Sequence, residues 1–284
     1  MTTSGLTGGD WLAAQPRALI VTIYGLYARE AGGWLSIAAL IKLMAELDID
    51  EPAVRSAISR LKQRGMVEPR RELGAAGYGL SDRGYAILAE GDRRIFERAR
   101  ASAADGWLLA VFSVPEQQRA RRHLLRSRLS WLGFGTVAAG VWIAPGQIAD
   151  EVREVLAADG LTPYVNLFTA GYLAFGDIRD RVTQWWDLSR LEQLYQAFID
   201  AVGHLLAGWD APAGADDGAQ AFADYVRVLT AWRRLPFLDP GLPPELLPSD
   251  WHGSRAAELF SEVRSRLEGP AKAHVSEVTA GRQG

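Results

Sequence analysis

Residues 50–84 read DEPAVRSAISRLKQRGMVEPRRELGAAGYGLSDRG, and between Arg55 and Arg71 this stretch sets six basic side chains against one acid, Glu68. The whole chain carries a formal charge of −3, so the positive charge is local and asks for a local purpose. The spacing predicts a helix beginning at Asp50, a residue suited to capping, with Glu51 and Pro52 in a first turn that favours both. On a wheel of about 100° per residue, Val54, Ile58 and Leu61 share one narrow face. Ser56, Ser59, Arg60 and Gln63 lie opposite, with Arg55 on the flank. Gly65 stops the helix. MVEPRR and YGLS then have strand character, the Gly-Ala-Ala-Gly segment at 74–77 is expected to form a hairpin tip, and Ser81 is expected to cap a helix over DRGYAILAEGDRRIFERA.

Upstream, PRALIVTIYGLYA places Leu19, Ile23, Leu26 and Tyr27 at helical spacing from Pro16 to Ala28. After Gly32 and Gly33, Trp34 and Leu35 make a short bridge and Ser36 caps the apolar helix IAALIKLMAEL. Three helices followed by a two-stranded ribbon is the order of a winged helix-turn-helix, whose last helix enters the major groove of double-stranded DNA while the hairpin lies on the backbone. On that reading Arg55, Arg60, Lys62 and Arg64, with Arg70 and Arg71 on the wing, hold phosphates and base edges, and Ser56, Ser59 and Gln63 touch a phosphate or a base. The competing reading is a solvated helix beside a surface hairpin, or a winged helix used to dock protein instead of DNA.

At 284 residues, 48% of them hydrophobic and 23% charged, the chain has the length and mixture for two or three folded domains. The absence of cysteine excludes disulfides, thiolate metal sites and cysteine nucleophiles and suits a reducing cytoplasm. No apolar run approaches the roughly 20 residues of a membrane helix, and MTTSGLTGGDW lacks the order of a secretion signal. The expected location is cytoplasmic, with no membrane partner.

From Trp107 the texture changes to WLLAVFSV (strand), EQQRARRHLLRSRL (helix), GFGTVAAGVWIA (two strands about a glycine-rich turn), QIADEVREVLAAD (helix) and PYVNLFTA (strand). The order β-α-β-β-α-β is the ferredoxin-like signature, which hosts many functions and proves none. Beyond Tyr172 three further helices are expected, SRLEQLYQAFIDAVGHLLAGW, AQAFADYVRVLTAWRRL and SRAAELFSEVRSRLEG, and the polar tail after Pro270 is expected to fray. The expected architecture is therefore α+β, with a winged-helix domain over 12–100, a ferredoxin-like domain over 105–175 and a helical domain over 176–270.

Four segments carry a family resemblance: RALIVTIYGLYAREAGGWLSIAALIKLMAELDIDEPAVRSAISRLKQRG, WLGFGTVAAGVWIAP, WWDLSRLEQLYQAF and WRRLPFLDPGLPPELLPSDWHGSRAAELF. In that order they resemble the PaaX family of bacterial repressors, over nearly the whole chain from about Pro16 to about Leu267. LPPELLPSDWHG is the most specific string. The resemblance implies a homodimeric transcriptional repressor that binds an imperfect palindrome at a catabolic promoter of the phenylacetate type and is released by an aryl-CoA thioester such as phenylacetyl-CoA.

A CoA ligand carries several phosphate charges, so an Arg-rich helix beside an apolar cleft is a candidate dock for it. Arg122 and Arg126 on the helix after Pro115 are candidates, together with Trp142, Trp185, Trp186 and the neighbouring Arg181, since indole stacks on aryl and adenine rings. The bland reading leaves the arginines in water and the tryptophans in the core. Histidines at 123, 204, 252 and 274 share no metal-ligand spacing, and no serine elbow or phosphate-loop lysine motif occurs. Where ferredoxin-like metal nucleases place an aspartate after the first strand, AVFSVPE offers Ser113 and Glu116. No catalytic residue, metal or cofactor is expected, and a metal-dependent hydrolase is the least favoured alternative.

Overall fold

The computed structural model describes residues 14–72, 74–96, 100–173, 175–210 and 217–280. Along the chain the elements are α1 (Pro16–Ile23), continued as a π-helical turn over Tyr24–Ala28, β1 (Trp34–Ser36), α2 (Ile37–Ala45), α3 (Glu51–Gln63), β2 (Val67–Glu72), β3 (Ala75–Leu80) and α4 (Asp82–Phe96). There follow β4 (Trp107–Phe112), α5 (Arg119–Trp131), β5 (Gly135–Ala138), β6 (Val141–Pro145), α6 (Ala149–Ala158) and β7 (Val165–Ala170). The chain ends in helices: α7 (Ile178–Trp185), α8 (Leu188–Trp209), α9 (Gly218–Trp232), the four-residue α10 (Leu235–Leu238) and α11 (His252–Ala280). The fold class is α+β. Residues 12 and 13, where the first domain was expected to begin, and 97–99, the expected end of the helix after Ser81, lie outside the described residues.

Two compact units emerge. One contains the described residues up to Arg93 with 195–233 and 253–280; the other contains 94–194 with 234–252. In the first, three short strands pair antiparallel in the order β1-β3-β2. Ala75 pairs with Glu72 and Ala76 with Arg71, so only Gly74 of the expected Gly-Ala-Ala-Gly tip is at the turn and the rest belongs to β3. The core of this unit is α9. Every residue from Ala221 to Trp232 except Arg227 is buried, including Asp224, which accepts from the Trp209 indole at 3.0 Å. Tyr27 meets Phe222 (5.9 Å between ring centroids), Trp232 stacks on Phe260 (4.9 Å, 10° between planes), and the Thr22 and Thr230 hydroxyls lie 2.7 Å apart in the interior.

As far as Ala280 the expected fraying after Pro270 does not occur; residues 281–284 lie outside the described residues. Helix α11 runs through Pro270 to Ala280, with Ala271 and Val275 buried. Lys272 pairs with Glu30 (2.6 Å) and His274 with Glu46 (2.8 Å). Burial and pairing beyond the proline outweigh the roughly 3 kcal/mol that a helix-interior proline costs. The hydrogen bond from Lys272 holds the Glu30 carboxyl below its usual range.

In the second unit four strands pair antiparallel in the order β5-β6-β4-β7. Alternation along the strands sends Leu108, Ala110, Trp142 and Ala144 to one face, where they bury Leu125 and Leu129 of α5 and Val152 and Leu156 of α6. Trp107 and Ile143 face the other way, against Val182, Trp186, Leu188 and Leu242. Arg94, 3% exposed, lies 4.4 Å over the Trp131 ring and pairs with Glu151. No described helix is long and apolar enough to cross a membrane.

Truncating Phe222 to alanine should destabilise the first unit by about 3–5 kcal/mol. Urea unfolding checks the size, and faster hydrogen exchange in α1 checks that the loss reaches the amino-terminal helices; unchanged exchange in α1 contradicts the role given to α9.

Candidate nucleic-acid interface

The turn into α3 is tightly specified. Asp48 takes a left-handed backbone (φ +63°) in which its N–H donates to Ala45 O (3.0 Å) and that of Ile49 to Met44 O (3.0 Å). Those are the two bonds that close a helix before a chain reversal, with aspartate in the position glycine usually fills. Asp50 then caps α3 by accepting from the Ala53 N–H at 2.9 Å. The Asp48 carboxylate accepts from Arg227 of α9 at 2.7 Å, which ties the turn to the core helix of the same unit.

Val54, Ala57, Ile58 and Leu61 are the buried stripe of α3. Every other residue expected at the interface from this helix is exposed: Arg55, Ser56, Ser59, Arg60, Lys62, Gln63 and, just past its end, Arg64. Arg55 pairs with Glu51 at 2.7 Å. Arg60, Lys62 and Arg64 have no ion-pair or hydrogen-bond partner among the described residues. Their charges sit at the carbonyl end of the helix, which a cation stabilises.

Gly65 (φ +67°) terminates α3. Its N–H reaches Lys62 O (2.9 Å) and the Met66 N–H reaches Leu61 O (3.0 Å), with Leu61 and Met66 both buried beneath. The Ser81 hydroxyl bridges this terminus to the next helix, donating to Gly65 O (2.6 Å) and accepting from the Gly84 N–H (3.0 Å). Gly84 fits against the chain just past α3 only because it lacks a side chain: a Cβ there would lie 2.2 Å from Met66 O. The end of α3 and the start of α4 are thus one rigid junction. Beside it runs an open trough of about 680 Å³, with Arg17, Arg64 and Arg83 on its walls.

On the hairpin, Arg71 is exposed and donates to Gly74 O at 3.3 Å. Arg70 is half-buried. Its guanidinium pairs with Glu72, donates to Gly32 O at 3.2 Å, and lies over Gly79, where a Cβ would come within 3.2 Å of it. The same six-residue strand therefore presents one arginine outward and folds the other onto the sheet.

Of the residues expected around an effector, the structure gathers three. Arg122, Arg126 and Trp142, with Phe112, Thr136 and Gly140, line a cavity of about 390 Å³. The Arg126 guanidinium stands 5.8 Å from the Trp142 ring centroid, and Phe112 meets that ring edge-on at 6.1 Å. Arg122 donates to Val114 O (2.7 Å) and pairs with Glu116 (3.0 Å), whose carboxyl is held low by Arg119 and Arg122. The other three lie elsewhere in the same unit. Trp186 is 9% exposed, stacks on Trp107 and donates its Nε1 proton to Gly133 O at 2.9 Å. Trp185 meets Trp107 edge-on at 5.8 Å, and Arg181 donates to Gln184 and to Phe175 O. Among the described residues no group of histidine, aspartate and glutamate is placed to hold a metal ion.

Comparison with known proteins matches the chain in three consecutive segments: a PaaX-like protein model at residues 15–84, the PaaX protein central Cas2-like domain at 100–182, and the PaaX-like protein C-terminal domain at 186–277. The Transcriptional repressor PaaX of Escherichia coli (strain K12) is 30% identical over 264 residues, which covers 92% of this chain and 83% of that protein. Uncharacterized protein Rv0674 from Mycobacterium tuberculosis superimposes with a TM-score of 0.58 at 26% identity, over 92% of this chain and 99% of that one. Matched in one order from α1 into α11, and by a relative over nearly its whole length, the chain belongs to the PaaX family.

Proposed function

We propose that this protein is a transcriptional repressor that binds DNA through α3 and the β2–β3 hairpin, a regulator and not an enzyme. The observation that carries the reading is the outward face of α3, where Arg60, Lys62 and Arg64 stand exposed, with no ion-pair partner among the described residues, in a protein of net negative charge. The name of the Escherichia coli relative supports it. On this reading α1, α2 and α3 with the hairpin form a winged helix-turn-helix, and the β-α-β-β-α-β segment with strand order β5-β6-β4-β7 is a ferredoxin-like module. The segments 12–100, 105–175 and 176–270 are then its winged-helix, ferredoxin-like and helical parts.

Arg55, Ser56, Ser59, Arg60 and Gln63 face the major groove, and Lys62, Arg64, Arg70 and Arg71 face the backbone. Arg70 reaches a phosphate by releasing Glu72. A homodimer on an imperfect palindrome places its two α3 helices roughly 34–36 Å apart, one turn of DNA. Release by an aryl-CoA thioester, phenylacetyl-CoA for a phenylacetate operon, needs only a modest bias: about 3 kcal/mol of preference for a state with the wrong spacing weakens operator binding roughly 150-fold. The Arg122, Arg126 and Trp142 cavity offers cations for the CoA phosphates and indole for a ring. Arg181, Trp185 and Trp186 contribute by shaping the opposite face of the sheet. The protein acts in the cytoplasm.

Gel shift on the DNA upstream of the protein's own coding region tests the proposal. Arg60→Ala should cost on the order of 1–3 kcal/mol and relax sequence preference; unchanged affinity and preference remove Arg60 from the reading face. Phenylacetyl-CoA should free bound DNA where phenylacetate does not, and Arg126→Ala should raise the concentration needed at least about tenfold, given about 1.5–3 kcal/mol for a hydrogen bond to a charged group. Equal response of wild type and Arg126→Ala takes the effector out of this cavity.

A further inference from the structure

We infer that Arg17, Arg64 and Arg83 form a second phosphate clamp, which takes the DNA backbone beyond the reach of the α3 reading face. The inference rests on the DNA-binding function proposed above and adds two residues that lie outside the basic run of α3 and the hairpin. Arg17 stands in the first turn of α1, Arg64 just past the end of α3, and Arg83 in the first turn of α4. All three line the 680 Å³ trough, and none has a hydrogen-bond or ion-pair partner among the described residues. A Cβ on Gly65 would lie 3.9 Å from the Arg83 Cδ, so the stem of Arg83 runs alongside the glycine that follows Arg64.

Three like charges gathered with no acid among the residues lining the trough repel one another, and an anion between them removes that cost. The trough is pre-organised to receive it, because the Ser81 bridge and the Gly84 contact lock the end of α3 to the start of α4. The shape favours a passing phosphodiester over an enclosed small ligand. Gln63, Arg64, Gly65, Arg83 and Ile87 on its rim are all exposed, so a small molecule would keep too much of its surface in water, whereas a backbone phosphate needs charge and donors only. The floor of Val21, Leu61 and Met66 lowers the local dielectric beneath the guanidinium groups and strengthens their hold.

The test measures binding of the full-length protein to its operator and to a scrambled duplex across a series of salt concentrations. Variants are Arg17→Ala/Arg83→Ala, Arg17→Lys/Arg83→Lys and Arg60→Ala. The double alanine variant should weaken both duplexes by the same factor, leave their ratio unchanged and flatten the log–log salt slope by about two, one phosphate in each subunit of a dimer. The double lysine variant should retain most of the slope, and Arg17→Gln/Arg83→Gln replaces the alanine pair if that pair fails to fold. Arg60→Ala should instead reduce the operator-to-scrambled ratio. An unchanged slope in the alanine pair, with wild type binding its operator normally, overturns the clamp and leaves the proposed function standing. Failure of wild type to bind either duplex overturns both. A lost thermal shift with phenylacetyl-CoA in the alanine pair, at unchanged salt slope, assigns the trough to a small anion and also overturns the clamp.

Discussion

One buried stripe on a polar helix governs this molecule. Val54, Ala57, Ile58 and Leu61 are the apolar positions that α3 can bury, and burying each large one contributes about 1.5–3 kcal/mol. Rotating the helix would instead press Arg60, Lys62 or Arg64 into the interior, at several kcal/mol for each uncompensated charge. The stripe therefore chooses the orientation, and the orientation leaves the basic side in water. The flanking chemistry agrees with it at both ends: Asp50 caps the start, and the Gly65 termination with the Ser81 bridge sets the direction in which the hairpin and α4 leave.

The support for α3 comes from far along the chain. Helix α9 fills the centre of the same unit, and from it Arg227 reaches the Asp48 turn; α11 pairs with Glu46 and Glu30 on its flank. The exposed Lys272–Glu30 pair is worth about 0–1 kcal/mol, so the buried aromatic contacts around Phe222 and Trp232 supply most of the stability. The α2–α3 turn thus touches the side chain of a residue 179 positions later.

Arginine placement shows how little residue type decides alone. Arg55 and Arg122 are engaged by Glu51 and Glu116, Arg70 is folded onto Gly79 beside Glu72, and Arg128 is bound to Asp159. Among the described residues Arg60, Arg64, Arg17 and Arg83 have no such partner. The difference is one of neighbours: an acid one turn back on the same helix (Glu51), in the turn before the helix (Glu116), on the same strand (Glu72) or at the end of a packed helix (Asp159) captures a guanidinium that is otherwise available to an anion.

Local order set the helix caps at Ser36, Asp50 and Ser81, the stripe of α3, the β-α-β-β-α-β series and the family likeness, because each depends on residues within a few positions of one another or on the chain's own order. Other features follow from contacts between distant segments, and composition or periodicity could not supply them. Pro270 read as a stop, yet α11 continues because Ala271 and Val275 find a core to enter. The hairpin tip moved to Gly74 because Ala75 and Ala76 find cross-strand partners in Glu72 and Arg71. Trp142 joined Arg122 and Arg126 while Trp185 and Trp186 went to the far side of the sheet, since strand alternation and helix docking sort side chains by face. Arg17 and Arg83 are 66 residues apart and belong to no shared motif. Only the packing of α1, α3 and α4 brings them together, because convergence in space is a property of the folded chain and is absent from any window of its sequence.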